Sequence, residues 1–147
     1  MRFDFRRLTP DDLPQLFEWH QRPHVLEWWD AYTSIDALRA DTLESDAHAF
    51  LAYGDGEPLA YIQWWPSLEE NGVIGIDQFI ADRDSIGRGI GTDLVTQFVD
   101  FLFSDSTVRA VIVDPAPHNA RAIHCYEKAG FRFVAMNDGA YLMRRER

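Results

Sequence analysis

Three glycines at alternate positions, Gly87, Gly89 and Gly91, stand directly before the most regular apolar stripe of the chain, Leu94, Val95, Phe98, Val99 and Leu102. The stripe has helical spacing, so it predicts a helix that begins near Gly89 and packs on a sheet. A strand-like run, Val73-Ile74-Gly75-Ile76-Asp77-Gln78-Phe79-Ile80, comes before it, and a short continuous apolar strand, Ala110-Val111-Ile112-Val113, comes after. Strand, bare turn, buried helix and strand in succession require an α/β arrangement. The turn also carries chemistry. With no side chains at alternate positions, backbone amides can approach a ligand, and the helix that follows adds unpaired N–H groups and the positive end of its dipole. A diphosphate suits that place, and Arg88 can add a charge-assisted contact.

Two other phosphate motifs fail on spacing. A Walker loop needs Gly-Lys-Ser/Thr where this chain has Gly91-Thr92-Asp93. A dinucleotide fingerprint needs G-x-G-x-x-G, and its last position falls on Thr92 or Leu94. The strands before the turn also look hairpin-linked rather than built as repeated strand-helix units.

Elsewhere the chain shows a first strand around Phe3 and Phe5, then Thr9 as a helix cap with Pro10 at the first helical position. That helix is expected to reach about His20 and bury Leu13, Leu16 and Phe17. Pro23 interrupts, and a second helix is expected over about Ser34 to Ser45. Trp28 and Trp29 are adjacent and cannot both face one core, so one is expected to line a groove. His48 to Tyr53 and Leu59 to Trp65 make a hairpin through Gly54-Asp55-Gly56-Glu57-Pro58. In the strand from Val73, Gly75 invites a bulge or a close approach. Asn119 can cap a helix that ends at Gly130, and Phe131 to Ala135 and Ala140 to Met143 form a last hairpin through Asn137-Asp138-Gly139. The order predicts an α/β (α+β) fold: a mixed, mostly antiparallel central sheet of about six to seven strands flanked by about four helices, in a single domain over residues 1–147.

Net charge is −10, from 24 acidic and 14 basic residues, which disfavours nucleic acid and favours cationic ligands. No apolar run approaches the roughly 20 residues of a membrane span. The N-terminus lacks a secretory pattern, so the cytoplasm is the expected location. The single cysteine, Cys125, excludes an intramolecular disulfide framework. Oligomeric state is not readable.

Four blocks in order carry a family resemblance over nearly the whole chain. They are Phe17-Glu18-Trp19 with His24-Val25-Leu26-Glu27-Trp28-Trp29; Gly75-Ile76-Asp77-Gln78; Ile86-Gly87-Arg88-Gly89-Ile90-Gly91-Thr92; and Asp114-Pro115-Ala116-Pro117-His118-Asn119 with Arg121-Ala122-Ile123-His124-Cys125-Tyr126-Glu127-Lys128-Ala129-Gly130-Phe131. Together they resemble the aminoglycoside 6'-N-acetyltransferases of the GCN5-related N-acetyltransferase (GNAT) superfamily. The superfamily usually has Arg or Gln three residues before the first glycine of its G-x-G pair; Ile86 stands there, as in this branch. The branch often carries a longer loop, rich in acids and tryptophan, where only Pro66 to Ile74 separate Trp65 from Gly75.

The resemblance implies the GNAT fold, acetyl-CoA as cosubstrate, no metal, and direct acetyl transfer in a ternary complex to a cationic amine, most specifically the 6'-amine of an aminoglycoside. Cys125 is then not a nucleophile. It implies that Ile86, Gly87, Arg88, Gly89, Ile90, Gly91, Thr92 and Asn119 meet the coenzyme, and that a backbone amide near Phe79 or Ile80 stabilises the oxyanion. Tyr126 would donate a proton or a hydrogen bond to the leaving thiolate; because a phenol is a weaker acid than a thiol, the hydrogen bond is the safer role. Asp77 would bind the acceptor amine and could pass its proton on through water. Asp114 would meet a second amine or cap a helix, Asp138 would contribute or only form its turn, and Trp28 or Trp29 would cover the sugar. Another small amine, such as a siderophore precursor or a polyamine, and a non-catalytic acyl-CoA-binding module are the alternative readings.

Overall fold

Alternation along the strands shows why the sheet must be covered on both sides. In β2 (His48–Gly54), Phe50 and Ala52 belong to one buried cluster, while Ala49 and Leu51 belong to another. β3 (Glu57–Pro66) repeats this, with Ala60 and Ile62 on the first side and Tyr61 on the second, and β4 (Val73–Ile80) does so with Ile74 and Ile76 against Phe79. The first cluster is closed by helices α4 (Ile90–Phe103) and α5 (Ala120–Lys128). The second is closed by α1 (Leu13–Trp19), α2 (Pro23–Leu26) and α3 (Ile35–Leu43).

The computed structural model describes residues Met1–Arg147. Its remaining strands are β1 (Asp4–Arg7), β5 (Ala110–Val113), β6 (Arg132–Asn137) and β7 (Ala140–Glu146), and the seven strands lie in the order β1-β2-β3-β4-β5-β7-β6. Every pairing is antiparallel except β4 with β5. That parallel pair keeps only three matched positions, Val73 to Ala110, Ile74 to Val111 and Gly75 to Ile112. Past Gly75, β4 stays paired with β3 as far as Ile80 and has no strand on its other side. The sheet therefore opens at its centre. No helix is long and apolar enough to cross a membrane.

The helix expected from Thr9 to His20 is divided. Pro10–Asp12 is a 3-10 turn, in which the Asp12 N–H donates to the Thr9 carbonyl and the Asp12 carboxylate accepts from the Thr9 N–H, both at 2.9 Å. Pro14 has no N–H to return to the Pro10 carbonyl, so it sits in the first turn of α1 and the preceding turn is not α-helical. Trp19 and His20 are buried where Phe17 was expected to be. Pro23 opens the short α2 rather than merely ending a helix. β7 continues to Glu146, beyond its apolar part, because it is sandwiched between β5 and β6 and backbone pairing does not depend on side-chain polarity. Gly75 makes no bulge: its β3 partner is Trp65, whose indole occupies the space where a Cβ would stand.

His20 is 1% exposed, wrapped edge-on by Trp29, Tyr32, Tyr61 and Phe79, and its Nδ1 has no partner. Burial holds its pKa down at about 4. In the unfolded chain the ring takes up a proton below about 6.5. Stability is therefore full above that value and is lost as pH falls towards the folded value, by at most about 3 kcal/mol. We expect thermal melts from neutral to mildly acid pH to show a smaller acid loss for His20→Phe than for the unchanged protein; parallel losses would exclude this ring as the cause.

Candidate active site

The gap between β4 and β5 forms the floor of a cleft of about 660 Å³, walled by the start of α4, by α5 and by the segment after α2. Gly87 and Gly89 have φ of 84° and 80°, a left-handed backbone that a side chain would strain. A Cβ at either would meet nothing, so open space lies in front of the turn. Gly91 has ordinary helical backbone; there a Cβ would lie 3.5 Å from Cys125 Sγ, an ordinary contact. None of the N–H groups of residues 87–92 donates to any acceptor in the protein, and the first bond of α4 runs from the Asp93 N–H to the Gly89 carbonyl. A run of free donors at a helix start has the chemistry to receive an anion. Ile86, Gly87, Gly89, Gly91 and Thr92 line the cleft. Arg88 and Ile90 do not: Arg88 is exposed, and Ile90 packs against the core.

Across the cleft, Asn119 caps α5 by accepting from the Ala122 N–H at 3.2 Å, and it also lines the cleft. Asp114 is therefore not the cap. The helix brings Arg121, Ala122, His124, Cys125 and Lys128 to the wall, so two cationic side chains border the cleft. Burial pushes the Cys125 thiol pKa up, which keeps it protonated and a poor nucleophile. Tyr126 is 7% exposed and packs on Phe131, and burial likewise raises its pKa above the ordinary phenol value. Its Oη accepts from Gln78 Nε2 at 2.7 Å, and its own proton finds no acceptor in the protein. The phenol oxygen is thus fixed at the cleft wall by the Gln78 side chain.

The strand period splits β4 between two tasks. Gln78 faces the α4 and α5 side, where it meets Tyr126, and Asp77 faces the α1 to α3 side. There Asp77 Oδ2 accepts from Trp65 Nε1 at 2.8 Å and from Gln63 Nε2 at 3.2 Å, while Gln63 Oε1 accepts from Tyr61 Oη at 2.6 Å. Asp77, Asp114 and Asp30 all line the cleft. Asp114 is open to it, yet the protein around the carboxyl first, and the Asp77 charge second, push its pKa above the usual carboxylate value. Both tryptophans reach the cleft. Trp29 does so from a packed position, edge-on to Phe79 with ring centroids 5.4 Å apart, and Trp28 leans on His118 at 5.1 Å. Phe79 and Ile80 line the floor, and the Ile80 carbonyl lies 2.8 Å from His24 Nε2. Asp138 is outside the lining: with φ of 49° beside Gly139 at 79°, it forms the β6–β7 turn.

Sequence reasoning did not single out Gln78, Gln63, Trp65, Arg121 or Lys128. Gln78 was within reach, since strand alternation sends it opposite to Asp77. The roles of Gln63 and Trp65 depend on strand register, which no local pattern displays.

A family profile described as an acetyltransferase (GNAT) domain matches residues 9–138. The chain is 38% identical over 144 residues to an aminoglycoside N(6')-acetyltransferase type 1 of Klebsiella pneumoniae, covering 86% of this chain and 72% of that protein. It superposes with a TM-score of 0.93 and 35% identity on AAC(6')-Ib solved with paromomycin and acetyl-CoA, over 100% of this chain and 94% of that one. A structure of the same enzyme with coenzyme A and kanamycin gives a TM-score of 0.92 at 36% identity, over 99% and 95% of the two chains.

The raised Asp114 carboxyl gives a signed pH effect. As pH falls through its pKa it becomes neutral and loses its attraction for a cation, and this begins at a higher pH than for an ordinary carboxylate near about 3.9. Calorimetric titration of kanamycin should show affinity weakening on mild acidification, and Asp114→Asn should bind more weakly at neutral pH with a flatter acid dependence. An unchanged acid dependence in the variant would remove Asp114 from the cation site.

Proposed function

Because the chain belongs to the GNAT acetyltransferase family, within its aminoglycoside 6'-N-acetyltransferase branch, we propose that its cleft joins acetyl-CoA to a polycationic amino sugar and acetylates the 6'-amine. The polarity of the cleft carries this reading: free N–H groups and positive side chains at one end, Asp77 and Asp114 at the other, and the Tyr126 phenol between. Two facing carboxylates favour an acceptor with at least two ammonium groups over a monoamine, and therefore an amino sugar over a single lysine-like chain. The cytoplasm, the compartment expected from the sequence, is consistent with an acetyl-CoA-dependent reaction.

Acetyl-CoA supplies the acetyl group as a thioester. The N–H groups of residues 87–92 fit its pyrophosphate, and Arg121 and Lys128 on the wall would add charge. Tyr126 directs its free hydrogen into the cleft and hydrogen-bonds sulfur as negative charge develops there. Its raised pKa makes complete proton transfer costly. Gln78 holds the phenol oxygen from behind by its Nε2. Asp77 and Asp114 hold the ammonium groups. A primary ammonium near pKa 10.4 is neutral in only about one molecule in a few thousand at pH 7, so water in the cleft must carry its proton away. The open side of β4 near Phe79 and Ile80 is where a backbone N–H would meet the developing oxyanion.

Thiol release from acetyl-CoA with kanamycin, tobramycin and a set of simple amines tests the reading. Turnover is expected with the aminoglycosides and weak or absent with monoamines; silence with every aminoglycoside would end the substrate assignment. Tyr126→Phe should lower kcat about ten- to a hundredfold while the coenzyme KM stays within about twofold, the pattern of a bond made mainly in the transition state. Unchanged kcat would retire the phenol from the reaction.

A further inference from the structure

Asp77 is held from behind in an asymmetric way. Both of its protein donors, Trp65 Nε1 at 2.8 Å and Gln63 Nε2 at 3.2 Å, meet the same oxygen, Oδ2. Oδ1 accepts nothing from the protein, and the residue lines the cleft. Trp65 itself is not on the lining; it lies behind Asp77. The indole is placed by Gly75, its direct partner across the strands, because a Cβ at that position would run into the ring carbons Cζ2, Cε2 and Cη2. With space for a ring at residue 75 and an N–H reaching residue 77, two positions two apart on β4 are tied to one side chain of β3.

The β3–β4 connection offers no competing group. Ser67 Oγ accepts from the N–H groups of Glu69 and Glu70, which keeps the turn short. The acid at residue 70 is turned away to Arg144 at 2.8 Å and Arg109 at 3.2 Å, on the β5 and β7 side. The acceptor end is therefore shaped by the end of β3 rather than by the loop that follows.

We infer that Trp65 is a positioning residue that sets acceptor affinity: its indole, seated on Gly75, fixes the Asp77 carboxylate by one oxygen so that the other points to the acceptor ammonium. The inference rests on the amine-transfer reading above. A charge-assisted N–H bond of this length is among the stronger side-chain hydrogen bonds. Without it the carboxylate samples other rotamers, and acceptor affinity falls by the fraction of time it is misplaced. The coenzyme end, on the other face of β4, does not feel the change.

The test is steady-state kinetics of the unchanged enzyme, Trp65→Phe and Gly75→Ala with kanamycin and acetyl-CoA, together with thermal melts. Phe keeps a ring over Gly75 but has no N–H; Ala keeps the N–H but displaces the ring. We expect both to raise the kanamycin KM about tenfold, with kcat and the acetyl-CoA KM within about twofold and Trp65→Phe melting close to the unchanged protein. A Trp65→Phe acceptor KM within twofold of the unchanged enzyme overturns the inference and leaves the transferase reading intact. Both KM values rising together with a lowered Tm shows a merely structural role and also overturns it. An unchanged enzyme that acetylates no amine overturns the functional reading and this inference with it. If Gly75→Ala does not fold, Trp65→Phe decides alone.

Discussion

The parting of β4 and β5 is the constraint on which the rest depends. Parallel strands with three matched positions cannot stay together once one of them turns out of the sheet, and β5 does so after Val113. The backbone of β4 from Ile76 to Ile80 keeps β3 on one side and has no strand on the other, in the middle of a sheet buried on both faces. Unpaired backbone in such a place is costly unless a ligand or water completes it. The cleft is therefore a gap in the hydrogen-bond ladder before it is a pocket, and it can accept an extended arm lying alongside β4.

Strand alternation turns that gap into two half-sites. Gln78 and Asp77 are neighbours in the chain, yet they face opposite layers, one held to Tyr126 and the other to Trp65 and Gln63. In the proposed reading this sets the donor and acceptor halves of a transfer reaction on either side of one strand, different enough in charge to bind opposite ligands. On the same reading the free N–H groups of residues 87–92 receive the anionic ligand, and Asp77 and Asp114 receive the cationic one. Asp114 shows the cost: crowding and the neighbouring charge raise its pKa, so it is held in a state that a bound cation would relieve. Tyr126 shows the opposite use of burial, since a phenol that keeps its proton and has no acceptor in the protein is ready to donate.

The relation between sequence and structure differs from element to element. α4 was readable because Leu94, Val95, Phe98, Val99 and Leu102 mark one face without interruption, and all five are buried. α5 was readable from its ends, Asn119 and Gly130, where local chemistry specifies the conformation. The first helix was misjudged because Pro14 acts on a single hydrogen bond, too local for a periodic pattern to reveal. β7 ran past its apolar residues because its two partners, not its own side chains, set its length.

The amino-acid order alone was enough for the class of fold, the bare glycine turn at the start of α4 and the family, because each follows from local rules: helical period, glycine backbone, capping and motif spacing. Asp138 and Arg88 met those same rules and still fell outside the cleft. Which residues meet there depended on register and on layer. The pairing of Trp65 with Gly75 brings an indole to Asp77, and the loss of pairing beyond Ile112 opens the site. Contacts between residues distant in the chain arise only when strands are aligned and faces are covered, and no local pattern contains that alignment.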